Sequence, residues 1–197
     1  MPRPLLALAL VAAAVAAGCG DDDEPAGPVE GTGYTYELPE GWQDQSGLGD
    51  EASEQVDETL PAPIGADVDS LSADETEDGF ATNVNVIRTS SIAPGVTAEQ
   101  IARQNARVLG SPGPAAQILP EGSEILGEVA IGEVDLGGDV ASSLEYSATF
   151  EGRSNRLRQL FAVRGGNAYT ITFTALEDLF DDEVADLDQL IESWRWN

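Results

Sequence analysis

The residue types that most often carry catalysis are scarce in this chain of 197 residues, which has no His, no Lys and one Cys. A Ser-His or Cys-His nucleophile pair cannot be assembled, and neither can a Lys Schiff base. The common zinc and haem sites lack ligands, and no disulfide can close within the monomer. What remains is charge: 36 Asp and Glu stand against nine Arg, for a net charge of −27. Such an acidic chain is a poor ligand for nucleic acid or for anionic lipid headgroups. Paired carboxylates could hydrolyse a glycoside. Most of them, however, fall in segments where solvated faces are the plain reading, so no enzyme and no cofactor is expected.

Three local patterns stand out. Asp74-x-Thr76-x-Asp78-Gly79 has the first half of a calcium loop, but Asn85 stands where the bidentate Glu belongs. It is a weak metal candidate. Arg153, Arg156, Arg158 and Arg164 gather half of the basic residues that follow Arg3 into twelve positions. Strand parity puts Arg156, Arg158 and Arg164 on one face, opposite Phe161 and Val163. Glu145, Ser147 and Thr149, then Thr170, Thr172 and Thr174, are expected to join them from the neighbouring strands. That face is either solvated, with cross-strand Arg–Glu pairs of about 0.2–1 kcal/mol each, or a surface for a ligand or partner. Among the three Trp, Trp42 and Trp194 suit a core. Trp196, two residues after Trp194 and on another helical face, either packs on the sheet edge or makes an exposed contact.

Cys19 is the one residue with a chemistry of its own. Met1-Pro-Arg3-Pro is a short basic start, and Leu5 to Ala17 is an unbroken apolar run. It is too short to span a bilayer permanently and ends in small residues, as a signal peptide does. Val15-Ala16-Ala17-Gly18-Cys19 resembles the bacterial lipobox, in which cleavage precedes a Cys that receives a diacylglyceryl group. Residues 1–18 are then a lipoprotein signal peptide, and the acylated chain sits on the outer face of the cytoplasmic membrane. Heavy use of Ala, Gly, Val, Asp and Arg without Lys suits a high-GC bacterium.

The elements that position these groups follow from periodicity. Residues 19–33, acidic and rich in Pro and Gly, are expected to be a flexible tether. Tyr34 to Leu38 alternates as a half-buried strand, and Pro39-Glu-Gly41-Trp42 ends it. Residues 44–78 form a long acidic insertion, with Leu48, Val56, Leu60, Ile64, Val68 and Leu71 irregularly spaced. Phe80 to Arg88 is a strand. Thr97-Ala-Glu-Gln100 is a capping box opening a helix to Leu109, with Asn105 at the edge of its buried stripe and Gly110 as its stop. Glu124 to Leu136 holds one or two short strands. Ala141 to Phe150, Arg156 to Arg164 and Ala168 to Ala175 form an antiparallel meander with turns at Glu151-Gly152 and Gly165-Gly166-Asn167. A final helix has acidic residues in its first turn and an apolar face of Val184, Leu187, Leu190, Ile191 and Trp194.

The order of these elements, with Leu38-Pro39-Glu40-Gly41-Trp42, Arg158-Gln159-Leu160-Phe161, Tyr169-Thr-Ile171-Thr-Phe173-Thr-Ala175 and Ser193-Trp194-Arg195, resembles the PsbP-like superfamily. That group holds photosystem II extrinsic PsbP, Mog-type proteins and actinobacterial Lpq-type lipoproteins, the last sharing the lipobox and acidic tether. The resemblance covers most of 34–197 but skips the acidic insertion and the loop from Gly110 to Ser123. It implies an α+β fold, an antiparallel sheet flanked by helices in an α/β/α sandwich, in a single domain over 34–197. It also implies accessory or binding work without catalysis. Two functions are compatible with it. One is docking on an envelope protein complex; the other is carriage of an envelope lipid or small amphiphile beneath a lid formed by 48–71.

Overall fold

The computed structural model describes residues 28–44, 68–75, 80–111, 123–150 and 152–197, with the backbone alone for 68–75. In chain order the elements are β1 (Val29–Gly31), β2 (Tyr34–Tyr36), β3 (Gln43–Asp44), β4 (Val68–Glu75), β5 (Ala81–Thr89), α1 (Ala98–Leu109), β6 (Glu124–Leu136), β7 (Asp139–Phe150), β8 (Arg153–Arg164), β9 (Asn167–Leu176), α2 (Phe180–Ser193) and β10 (Arg195–Trp196). Seven strands make one antiparallel sheet in the order β3-β4-β5-β9-β8-β7-β6, and β1-β2-β10 make a small second sheet. This is the expected α+β class.

The turns of the meander set its register. Gly137 and Gly138 have φ of 59° and 85°, and Gly165 and Gly166 have 58° and 80°. Two successive residues with positive φ form the tight hairpin turn whose twist matches the flanking strands. Leu136 therefore pairs with Asp139, and Arg164 with Asn167. The second pairing corrects the expected three-residue turn. Because the loop is one residue shorter, Asn167 begins β9, and every β9 side chain is on the face opposite to the one assigned from parity. Thr170, Thr172 and Thr174 stand beside Phe161, Gln159 and Leu157, while Arg158 pairs with Phe173 and Arg156 with Ala175.

Both faces of the sheet carry packed elements, while the Arg156 and Arg158 pairs with Glu145 stay partly open to solvent. On one face α1 buries Ala102 and Leu109 against Leu144, Tyr146, Ala148, Leu157 and Phe161. On the other, α2 and the small sheet bury Leu187, Leu190 and Trp194 with Leu160, Ala162, Ile171 and Phe173. Trp194 lies stacked on Tyr34 and Tyr36, with ring centroids 4.5 and 5.4 Å away. Trp42 is also core, as expected, and its indole N–H donates to Asp186 at 2.9 Å.

Several local expectations change. The Thr97–Gln100 capping box forms in both directions, but Asn105 is buried, not marginal. Gly110 closes α1 at φ −72°, an ordinary turn and not a left-handed stop. Residues 124–136 are one long strand, interrupted between Leu126 and Ala130 by a bulge at Gly127, whose φ is +74°. β1 lies inside the stretch expected to be a tether, and β4 inside the acidic insertion, where Ser72 and Leu71 pair with Gln43 and Asp44. The signal segment, Cys19 and residues 45–67 fall outside the described residues, and with them most of the expected lid.

Candidate functional site

The charged cluster of β7 and β8 is the most organised polar surface among the described residues. Glu145 and Arg158 are cross-strand partners, and Arg156 faces Ser147 one step along. The side-by-side register lets one carboxylate serve two guanidiniums. Arg156 donates to Oε1 of Glu145 from Nε at 2.9 Å and Nη2 at 2.5 Å. Arg158 donates to Oε2 from Nε at 3.0 Å and Nη2 at 2.8 Å. In each contact two N–H groups of one guanidinium converge on a single carboxylate oxygen, so charge-assisted bonds occupy both oxygens of Glu145.

α2 completes the cluster. Its first residue, Phe180, lies under both guanidiniums, 4.5 Å from the Arg156 carbon and 5.6 Å from that of Arg158. Asp181 accepts from Arg156 Nη1 at 3.1 Å, and Asp188 stands 3.8 Å from Arg158 Nη1. Asp181 belongs to the acidic first turn expected from the helix dipole, and its pairing with Arg156 is a second role; Asp188 has no counterpart in the sequence expectations. Their seven-residue spacing, two turns on one helix face, was the available signal.

The electrostatics follow from this geometry. Burial alone would push the Glu145 carboxyl up, but the hydrogen bonds and charges of Arg156 and Arg158 outweigh it and hold it below its ordinary value. The hydrogen bond to Glu145 raises Arg156 further. A carboxylate so held is a poor proton donor near neutral pH. Its capability is recognition: a fixed pattern of acid and base on a stiff sheet. Beside it runs a cleft of about 370 Å³ between β6 and α2, with Glu133, Ser143, Glu145, Arg158, Asp188 and Ile191 in its walls.

The other candidate residues are elsewhere. Arg164 is at the far end of β8, paired with Asp139 at 2.5 Å and 5.5 Å from the Trp196 ring. Trp196 is half-buried on the sheet edge, donating from its indole nitrogen to the Leu136 carbonyl at 2.9 Å and lying 4.9 Å from Tyr169. Thr172 is buried on the opposite face, where it accepts from the Gln159 amide at 3.2 Å. The structure thus brings Glu145, Arg156 and Arg158 together and separates Arg164, Trp196 and Thr172 from them. Asp74 lies in β4, while Thr76 and Asp78 are outside the described residues, among which no three metal-binding side chains converge.

No protein-family model and no curated protein matches the sequence. Solved structures do match in shape. The cyanobacterial PsbP, CyanoP, of Synechocystis sp. PCC 6803 is 18% identical, covers 92% of this chain and 99% of its own, and superposes with a TM-score of 0.55. LpqN of Mycobacterium tuberculosis, described as involved in cell envelope biogenesis, is 14% identical over 88% of this chain and 86% of its own, with a TM-score of 0.47. PA94 of Pseudomonas aeruginosa, a protein of unknown function, is 21% identical over 79% and 85%, with a TM-score of 0.46. The match to CyanoP establishes the PsbP-like fold.

Proposed function

We propose that this PsbP-like chain is a lipid-anchored, extracytoplasmic accessory protein that docks on an envelope protein complex and performs no catalysis. The observation that carries this reading is the Glu145–Arg156–Arg158 cluster, whose three side chains are held by paired hydrogen bonds and an aromatic floor yet remain partly open to solvent. Pre-ordered charges of both signs favour recognition because little side-chain freedom is lost when a partner arrives. Anchoring rests on the lipobox-like Val15 to Cys19 and on Cys19 being the single thiol of the chain. Residues 1–18 would be removed, and 19–27 would tether the domain to the membrane.

The test is crosslinking in intact cells of the full lipoprotein, compared with an E145Q/R156Q/R158Q variant that removes the pattern and leaves only the solvent-exposed Asp181 and Asp188 without their partners. Loss of a specific crosslinked partner, with the variant still folded by circular dichroism, is expected. A partner recovered equally well by the variant would overturn docking through this face. A C19A variant should leave the membrane fraction and lose the acyl mass; retention there would refute the anchor.

A further inference from the structure

β6 is the last strand of the large sheet, and its free side carries no pairing among the described residues. Thirteen residues long, it is exposed along nearly its whole length. The bulge blunts its first part, leaving Ala130–Leu136 in regular register against Glu145–Asp139. The opposite edge, β3, has two residues. A long, regular, open edge is what folded proteins normally avoid, because its backbone groups template another strand.

Three observations bear on what β6 accepts. In a two-residue hairpin the residues flanking the turn exchange both backbone bonds, and pairs of that kind alternate along the ladder. Starting from Leu136 opposite Asp139, the alternation turns the N–H and C=O of Ile131, Glu133 and Asp135 away from β7. Second, the three exposed large hydrophobic residues among the described residues, Leu126, Ile131 and Val140, all lie on the β6–β7 hairpin, at 36%, 47% and 69% exposure. Third, the edge carries Glu124, Glu128, Glu133 and Asp135 and no basic residue. The cleft along its inner side adds Glu145 and Asp188 against Arg158. Arg103 and Arg107 approach β6 beyond the bulge, and Arg103 is tied to Glu99 at 2.6 Å.

From this we infer that the edge of β6 between Ala130 and Leu136 receives an extended basic segment of a partner protein as an eighth strand. Alternate Lys or Arg side chains stand beside Glu133 and Asp135. The intervening small apolar side chains lie over Ala130, Gly132 and Val134 and reach the cleft, where Leu160 and Ile191 form the apolar wall. Main-chain bonds supply affinity in such pairing, and alternate side chains supply specificity. A second copy is disfavoured because its own β6 would bring carboxylates opposite carboxylates. This rests on the docking reading for the nature of the partner, a protein, and differs from it in the surface engaged.

The test uses the full lipoprotein in detergent and a capped peptide Lys-Val-Arg-Thr-Lys-Val-Arg, followed by fluorescence anisotropy at low salt. The peptide should bind on the order of tenfold tighter than its counterpart with Glu at each basic position. Methylating alternate peptide amides should abolish binding without any change to the protein. An E133R/D135R variant, altered at two exposed positions, should reverse the preference toward the acidic peptide. Equal binding of both peptides, or undiminished binding of the methylated one, would overturn strand addition. Self-association through β6, seen as dimers by sedimentation that E133R/D135R dissolves, would overturn it as well. In the crosslinking assay, a partner lost by E145Q/R156Q/R158Q but kept by E133R/D135R would leave docking intact and refute the role of the edge.

Discussion

Replacing Glu145 by Gln removes one negative charge and leaves two guanidiniums side by side over Phe180. The carboxylate accepts four hydrogen bonds from Arg156 and Arg158. A Gln carbonyl can serve only one of these forks, and its amide would point N–H groups at the other. Two charge-assisted bonds are lost, worth about 1.5–3 kcal/mol each before screening. The cluster is roughly a quarter exposed, and Asp181 and Asp188 stay to balance the arginines. Discounting for solvent leaves a cost of about 2–3 kcal/mol. For a chain of this size that lowers Tm by roughly 4–12 °C. Urea unfolding at neutral pH measures the difference directly, and E145Q/R156Q/R158Q should recover more than half of it. The pH dependence fixes the cause. The folded state holds the Glu145 carboxyl below its ordinary 4.5, so its contribution is fully present above that value and is lost as pH falls through the folded-state value. The stability gap between wild type and E145Q should therefore narrow only in acid. A gap under about 0.5 kcal/mol, or one that persists unchanged through the acid range, would refute the shared-carboxylate account.

Two further outcomes are expected. Gly137 has φ +59°, and a Cβ there would come within 2.9 Å of Trp196 Cδ1 and 3.1 Å of Trp194 Cδ1; Gly137→Ala should cost about 1–3 kcal/mol through strain and displaced indoles, visible as lower thermal stability with altered Trp fluorescence, and an unchanged melt would exclude the close approach. Burial pushes the hydroxyls of Tyr36 and Tyr146 well above their ordinary value of 10.0, with the charge of Asp44 adding to the effect at Tyr36. Since the folded state resists their ionisation, stability should fall as pH rises past about 10, and spectrophotometric titration should show these two of the four Tyr ionising only together with unfolding.

Elements whose cause is local were legible in the sequence. The capping box at Thr97 and the acidic first turn of α2 place both helices, since caps and dipoles act within one turn. The alternation over Ala141–Phe150, Arg156–Arg164 and Ala168–Ala175 places three strands, each of which the structure extends by one to three residues. The failures came where a single residue decides a global outcome. Whether Asn167 belongs to the turn or to the strand is one position in sequence, yet it moves Thr172 from the arginine face to the face of α1. Covering of the second face was partly visible, since Leu160 and Ala162 share parity with Arg156 and Arg158. The composition of β8, mixed on that face, concealed that its charged half lies under the start of α2 and its apolar half under the helix body. The cluster itself was half legible: Glu145, Arg156 and Arg158 follow from a two-residue hairpin, whereas Asp181, Asp188 and Phe180 arrive from an element more than twenty residues later.

The smallest sheet has a consequence for how the chain is made. β10 pairs with β2, placing Arg195 opposite Thr35, and Asn197 closes on the Gly33 carbonyl at 3.1 Å. Between them, Trp194 supplies the ring against which Tyr34 and Tyr36 lie flat. A polypeptide that emerges from its N-terminus must therefore hold two aromatic side chains in waiting while residues 37–193 follow, because contacts this distant in sequence form last. The large sheet can assemble on its own local turns in the meantime. Final closure waits on Trp194–Asn197, and a protease nick there would act on the strand of Tyr34 and Tyr36 as much as on that segment.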